Sequence, residues 1–268
     1  MDPVPSAALV AAPSPAPSPA PESLHPALWR AHQLARTRTA VLGSGFAALD
    51  AELPGGGWPR QALTELLLPH PGVGEMRLLA PALAGVAAGA AGSERGIMLF
   101  DPPAPLCAWA LAHLGVDAQA LIVVHGRDGA FGARHLLPAA DLLWALEQAL
   151  KSGQVGAVLA WLPARLRADT LRRLQLAAQA HAGPAFVLRD IDVRLKPSPA
   201  PLRLALHSAG IDTLSVRVLK RRGPALAQPL RLALPPVLSP ALRARAEAKR
   251  ALTQAMQGRV RHPAPVPL

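Results

Sequence analysis

Tyrosine is absent, and phenylalanine and tryptophan leave aromatics at only 3% of the 268 residues. Surfaces that hold single-stranded nucleic acid stack bases on aromatic rings, so that mode is disfavoured. The one cysteine, Cys107, excludes an internal disulfide and any cysteine-rich zinc site, and it fits a reducing cytoplasm. Nine histidines are scattered along the chain, none in a His-x-x-x-His pattern or paired with Cys107 at metal spacing, so no metal site is expected. No window of 18 apolar residues is free of charge; Leu78 to Gly92 comes nearest and is short and rich in alanine and glycine. The N-terminus has no basic stretch ahead of an apolar one and is broken by prolines, unlike a signal peptide. These absences predict a cytoplasmic protein with no membrane partner.

Acidic residues are also scarce, but only in one part of the chain. Residues 1–188 hold 13 Lys and Arg against 13 Asp and Glu, whereas residues 189–268 hold 15 against 4. The whole net charge of +11 therefore lies in the C-terminal 80 residues. Such a block attracts nucleic acid or an acidic protein face. A general bias toward Arg, Ala and Pro is the alternative, since Arg supplies 24 of the 28 basic residues. That bias accounts for Arg over Lys, but not for the loss of acids at one end.

Residues 1–23 are rich in Pro, Ala and Ser and cannot bury a core, which predicts a disordered extension. Leu24 to about Arg38 reads as a short helix. A glycine-rich approach, Leu53-Pro54-Gly55-Gly56-Gly57-Trp58-Pro59, leads to the first strand. Apolar runs at Ala62–Leu68, Gly96–Phe100, Ala120–His125, Val155–Leu162 and Pro184–Leu188 alternate with helical stretches near 75–91, 104–114, 135–151 and 165–181. Short apolar strands separated by helices imply a mainly parallel sheet covered on both faces. Leu202/Leu204/Leu206, Leu214/Val216/Val218 and Leu230/Leu232/Leu234 then alternate at period 2, predicting an antiparallel extension with one solvated face. Ser239 as N-cap and Pro240 in the first turn open a last helix to about Gly258. The organisation expected is a tail over 1–23, one α/β domain over 24–236, and a basic helix with its own tail over 237–268.

The turn between the first strand and the helix after it is where a phosphate-binding loop, G-x-x-x-x-G-K-[ST], would lie. Gly74 keeps the second glycine. Pro69 stands at the first glycine, Glu75 at the lysine and Met76 at the hydroxyl position. The lysine neutralises phosphate charge and the hydroxyl holds Mg²⁺. A unit charge pair at contact is worth about 4 kcal/mol at an effective dielectric of 20, so exchanging Lys for Glu turns that attraction into repulsion. Arg77 is the nearest replacement cation, but two residues on it points to another side of the helix. The strand Val155–Trp161 should end in the Asp that orients the Mg²⁺ water shell, and it ends in Trp161. No nucleotide cofactor is expected at Pro69, Gly74, Glu75, Met76 and Trp161.

The order of a helix, Leu42-Gly43-Ser44-Gly45-Phe46-Ala47-Ala48-Leu49-Asp50, the triple glycine and a strand entering the loop resembles the RecA-type ATPase core. Within it the chain is most similar to the ImuA family of translesion-synthesis-associated proteins, also described as SulA-like. Supporting stretches are Gly55 to Glu65, Leu171-Arg172-Arg173-Leu174-Gln175-Leu176-Ala177-Ala178 and Leu219-Lys220-Arg221-Arg222-Gly223. The resemblance implies a RecA-like α/β domain with a mainly parallel sheet flanked by helices and an antiparallel C-terminal extension. It also implies an accessory role in damage-induced mutagenesis, beside an ImuB-like Y-family polymerase homologue and an error-prone DNA polymerase, with RecA a further partner. A RecA-type enzyme carries a water-activating Glu after the first crossover, where this chain has Asp101-Pro102-Pro103. Three catalytic features are thus missing together, which predicts a protein that is not an enzyme.

Two basic groups are candidate contacts for a protein partner or for DNA: Lys220, Arg221 and Arg222 at a strand end, and Arg243, Arg245, Lys249 and Arg250 on the last helix. That helix has a weak apolar stripe, Leu242, Ala246, Leu252 and Met256, which suits docking onto a protein. A SulA-like inhibitor of cell division and an atypical RecA-like ATPase are the competing readings.

Overall fold

The computed structural model describes residues 41–89, 95–126 and 139–261. The Pro-rich segment over 1–23, the helix expected over 24–38 and the tail from His262 lie outside the described residues. Within them the order is β1 (Val41–Leu42), α1 (Ala47–Asp50), β2 (Trp58–Pro59), β3 (Leu63–Leu68), α2 (Glu75–Ala87), β4 (Ile97–Phe100), α3 (Ala108–His113), β5 (Leu121–Val124), α4 (Ala139–Lys151), β6 (Ala157–Trp161), α5 (Ala168–Ala180), β7 (Ala185–Asp190), β8 (Leu202–Ser208), β9 (Thr213–Lys220), β10 (Leu230–Ala233) and α6 (Pro240–Arg261).

β1 and β2 form a small antiparallel pair. The other eight strands make one sheet in the order β10-β9-β8-β3-β7-β6-β4-β5. From β8 to β5 every neighbour is parallel; β8–β9 and β9–β10 are antiparallel. The expected antiparallel extension is therefore shorter than the period-2 pattern implied. β8 pairs parallel with β3, and the direction reverses only at β9. Nor does β8 have a solvated face: Leu202 to Leu206 are all buried. A strand held between β3 and β9 is covered on both sides, and its polar residue there, Arg203, is satisfied inside the sheet.

Each crossover helix hides one apolar stripe. α2 and α3 close one face of the sheet with Leu78, Leu79, Leu83, Val86 and Leu111. α4 and α5 close the other with Leu142, Leu146, Leu150, Leu171 and Leu174. Glu147 ties these two helices together, bonding Lys151 at 2.6 Å and Arg173; those contacts hold its carboxyl below its ordinary range. The central strands have no polar face because both sides are covered. β3 is buried at all six positions, including Thr64 and Glu65.

Glu65 shows how a charge is kept in such a strand. Its carboxylate accepts from Arg189 Nη1 on β7 at 2.8 Å and from Arg203 Nε on β8 at 2.6 Å. Arg189 Nη2 reaches the carbonyl of Ala164 at 3.0 Å and Arg203 Nη2 that of Val193 at 3.1 Å, while Arg189 Nε has no acceptor among the described residues. Pairing and hydrogen bonding together are what make buried charge tolerable. The three central strands are thus fastened by one buried charge cluster as well as by their ladders.

Candidate functional site at the carboxyl ends of the parallel strands

In open parallel sheets ligands bind outside the carboxyl ends of the strands. Here that edge is formed by the turn after β3, by Asp101 after β4, by Trp161 at the end of β6 and by Asp190 at the end of β7.

The turn after β3 has the backbone shape of an anion cradle, filled from within. Glu75, the first residue of α2, is buried, and its side chain folds back over the loop. Oε1 accepts the amide of Gly72 at 2.7 Å and Oε2 that of Gly74 at 3.1 Å. Backbone amides at a helix N-terminus are what a phosphate loop offers its ligand. The carboxylate takes them itself. The sequence predicted repulsion of a phosphate by Glu75; the geometry adds that the amide positions are occupied by the chain. Gly74 is required for packing as much as for φ, which is +121° there: a Cβ would lie 2.7 Å from Leu234 Cδ1. Pro69 closes β3, and Met76 packs half-buried against the core rather than facing a metal.

Arg77 is fixed elsewhere. Its Nη2 bonds Asp212 Oδ1 at 2.5 Å and the carbonyl of Pro235 at 2.6 Å, Nε donates to the same carbonyl at 2.9 Å, and Nη1 to that of Ile211 at 3.0 Å. It fastens α2 to the β8–β9 turn and to the segment after β10, and it cannot serve as the missing lysine without breaking that set.

Trp161 occupies the acidic position at the end of β6, half-buried, with its indole N–H buried and unpartnered among the described residues. Asp101 adopts φ +53°, a left-handed conformation uncommon outside glycine, and accepts the amide of Gly126 at 3.2 Å. It serves as a turn residue bridging the ends of β4 and β5. The residues present therefore do not fit a Mg²⁺-nucleotide: the amides are taken, the metal-orienting acid is an indole, and the nearest cation is structural. Beside the loop lies a cleft of about 890 Å³, lined by Leu142, Leu143, Trp161, Leu162, Arg165 and Arg167 among others. His70 stands at its edge, its ring bonded to the carbonyl of Pro71 at 3.0 Å.

The two basic groups behave differently from one another. Arg221 is turned inward: Nη1 bonds Glu52 Oε2 at 2.7 Å and Nε the carbonyl of Pro224 at 2.7 Å, so it is a fold contact. Lys220 reaches the carbonyl of Ser198 at 2.9 Å, and Arg222 is exposed with no partner among the described residues. On α6, Arg243 pairs with Asp212 at 3.1 Å and Glu247 at 3.3 Å. Arg250 lies near Gly210, Lys249 is engaged within the chain, and Arg245 is exposed. Lys220 ends β9 and Arg221 and Arg222 follow it, whereas the other four cations lie on α6. Of the described side chains of α6, Pro240 to Ala251, only Ala246 is even half-buried.

The sequence reading did not find the Glu65–Arg189–Arg203 cluster. Its signal was present: one Glu and one Arg inside strands otherwise apolar, Leu63–Leu68 and Ala185–Leu188 with Arg189.

The fold and this edge define an α/β protein built on a large, mostly parallel sheet flanked by helices, whose loop after β3 is sealed by its own carboxylate. No protein-family model and no curated protein matches the chain. No helix among the described residues is long and apolar enough to cross a membrane.

Proposed function

We propose that this chain is a non-catalytic RecA-like accessory protein of damage-induced translesion DNA synthesis, of the ImuA kind. It acts by contacts with an ImuB-like Y-family polymerase homologue, an error-prone DNA polymerase and RecA. The carrying observation is Glu75, whose carboxylate sits on the amides of Gly72 and Gly74 and removes the phosphate site. A chain that keeps a strand–loop–helix of the phosphate-binding kind while filling it internally retains the scaffold without the ligand. The parallel sheet with its antiparallel edge and the resemblance over Leu24 to Pro236 support the RecA-like assignment. The basic C-terminal region, with Arg222 and Arg245 exposed, supports contacts with acidic partners.

Two measurements test the reading. Calorimetry with Mg²⁺ and millimolar ATP is expected to give no heat with the wild type; micromolar binding would replace it with a nucleotide-gated function. Deletion of the gene in its host is expected to abolish damage-induced mutation while leaving growth normal, with recovery on reintroduction. Undiminished mutation, or a defect confined to division arrest, would overturn it.

A further inference from the structure

The cleft beside Trp161 does not end at the strand edge. A second cavity of about 520 Å³ shares Arg167 and Thr170 with it and continues over Arg172 and Leu176 on α5. The resulting groove has an apolar end, built on Leu142, Leu143, Trp161 and Leu162, and a track along α5 that carries charge. Arg165, Arg167 and Arg172 are exposed and without partner among the described residues. Leu176, at 60% exposed, marks the far end.

The hydrogen-bonding balance of the groove is one-sided. Two of its three carboxylates each hold a backbone amide, Asp101 that of Gly126 at 3.2 Å and Asp190 that of Asp192 at 2.7 Å. Its donors are the unsatisfied groups: Trp161 Nε1 and Arg189 Nε are both buried without an acceptor among the described residues. Asp169 is the one acid on the α5 track. An apolar and aromatic floor bordered by Arg is the anatomy of an energetic centre in protein interfaces. Two adjoining cavities, one apolar and one bordered by cations, favour a chain with side chains of both kinds over a compact metabolite, and the apolar end favours a side chain over a phosphodiester.

We propose that this groove binds an acidic linear segment of a partner protein, one large apolar residue seated against Trp161 and Leu143 and carboxylates on Arg165, Arg167 and Arg172. The proposal rests on the accessory-protein reading and names the surface through which one partner is held.

The test uses the full chain as bait for a displayed library of random dodecapeptides. Peptides joining two or more acids to a Leu, Ile, Phe or Trp are expected to be enriched. A selected peptide, fluorescein-labelled, is then titrated by anisotropy against the wild type and against R165E/R167E/R172E, three exposed changes whose fold is checked by circular dichroism. Affinity is expected to fall by about tenfold or more in the triple variant, and to be lost when the apolar residue of the peptide becomes serine. Enrichment without acids, no enrichment, equal affinity for the variant, or displacement by an oligo-dT strand would overturn the proposal. The last outcome would make the track a nucleic-acid surface. A failed selection leaves the nucleotide calorimetry standing, and nucleotide binding would leave the peptide result standing, so the two readings fail separately.

Discussion

Arg77 Nη2 and Asp212 Oδ1 meet at 2.5 Å across 135 residues of sequence, joining the first turn of α2 to the turn between β8 and β9. Both side chains are largely buried, 15% and 9% exposed, and the guanidinium also holds the carbonyls of Ile211, Leu234 and Pro235. Removing the carboxylate leaves a mostly buried cation facing carbonyls alone. Asp212→Ala is expected to lower unfolding free energy by about 2–4 kcal/mol in urea denaturation. Arg243, 45% exposed on the other side of Asp212, is expected to cost under about 1 kcal/mol as Arg243→Ala. Equal effects would deny Arg77 its role as the principal partner.

The Glu75 seal makes a second ordering. Glu75→Ala strips the acceptors from two loop amides and is expected to destabilise by about 1–3 kcal/mol. Glu75→Gln, which keeps one carbonyl oxygen, is expected to lose less. Denaturant midpoints for the pair decide it: a wild-type midpoint for Glu75→Ala would mean the loop amides are satisfied by water equally well.

Glu65 compensates two buried guanidinium groups at once. Glu65→Ala is expected to cost about 3–5 kcal/mol, because Arg189 and Arg203 lose their shared counter-charge while remaining buried. The triple change Glu65→Leu, Arg189→Met and Arg203→Met removes the charges together and is expected to recover most of that stability, read as a denaturant midpoint near the wild type. Failure of the triple variant to exceed Glu65→Ala would mean that the cluster fixes strand geometry in a way apolar packing cannot.

His181 is fully buried between α5 and β7, with neither ring nitrogen hydrogen-bonded among the described residues, and desolvation lowers its pKa from 6.5 to about 4. Below pH 6.5 the unfolded chain takes up a proton that the folded chain refuses. The stability contributed by neutral His181 is therefore complete above pH 6.5 and declines as pH falls toward 4. The loss at pH 4 reaches about 3 kcal/mol. His181→Phe is expected to flatten this part of the pH–stability curve. An unchanged slope in the variant would assign the acid lability to other groups.

Helix α6 contributes little to the core, since its described side chains are exposed apart from Ala246. Deleting residues 239–268 is expected to shift the melting temperature by no more than a few degrees and to leave acidic-peptide binding in the groove unchanged, while abolishing capture of the partner docked on α6 and damage-induced mutagenesis. Capture by the truncated chain would move that contact onto the sheet edge, where the Arg165–Arg172 groove is the next surface to probe.

Much of the scaffold was legible because short apolar runs leave few alternatives. Ile97–Phe100, Leu121–Val124 and Ala157–Trp161 all fall inside the runs expected from composition, with ends displaced by one or two residues. The residues of the loop were legible for a different reason: Pro69, Glu75, Met76 and Trp161 are identities, and no folding is needed to see that they differ from Gly, Lys, Ser and Asp. The direction of β8 was not legible. Period-2 alternation records which side of a strand is buried, and it carries no sign for parallel or antiparallel pairing.

The sequence alone therefore determined the α/β class of the fold, the order of its described elements and which residues stand in the loop after β3, since these depend on local hydrophobic period and residue type. Only the tertiary structure decided what the charges do. Glu65 meets Arg189 and Arg203 across 124 and 138 residues, and Glu52 turns Arg221 inward across 169. The physical reason is range: burial pattern is written along the chain at a few residues' spacing, whereas a charge's partner is chosen by proximity in space, and only the folded sheet sets that.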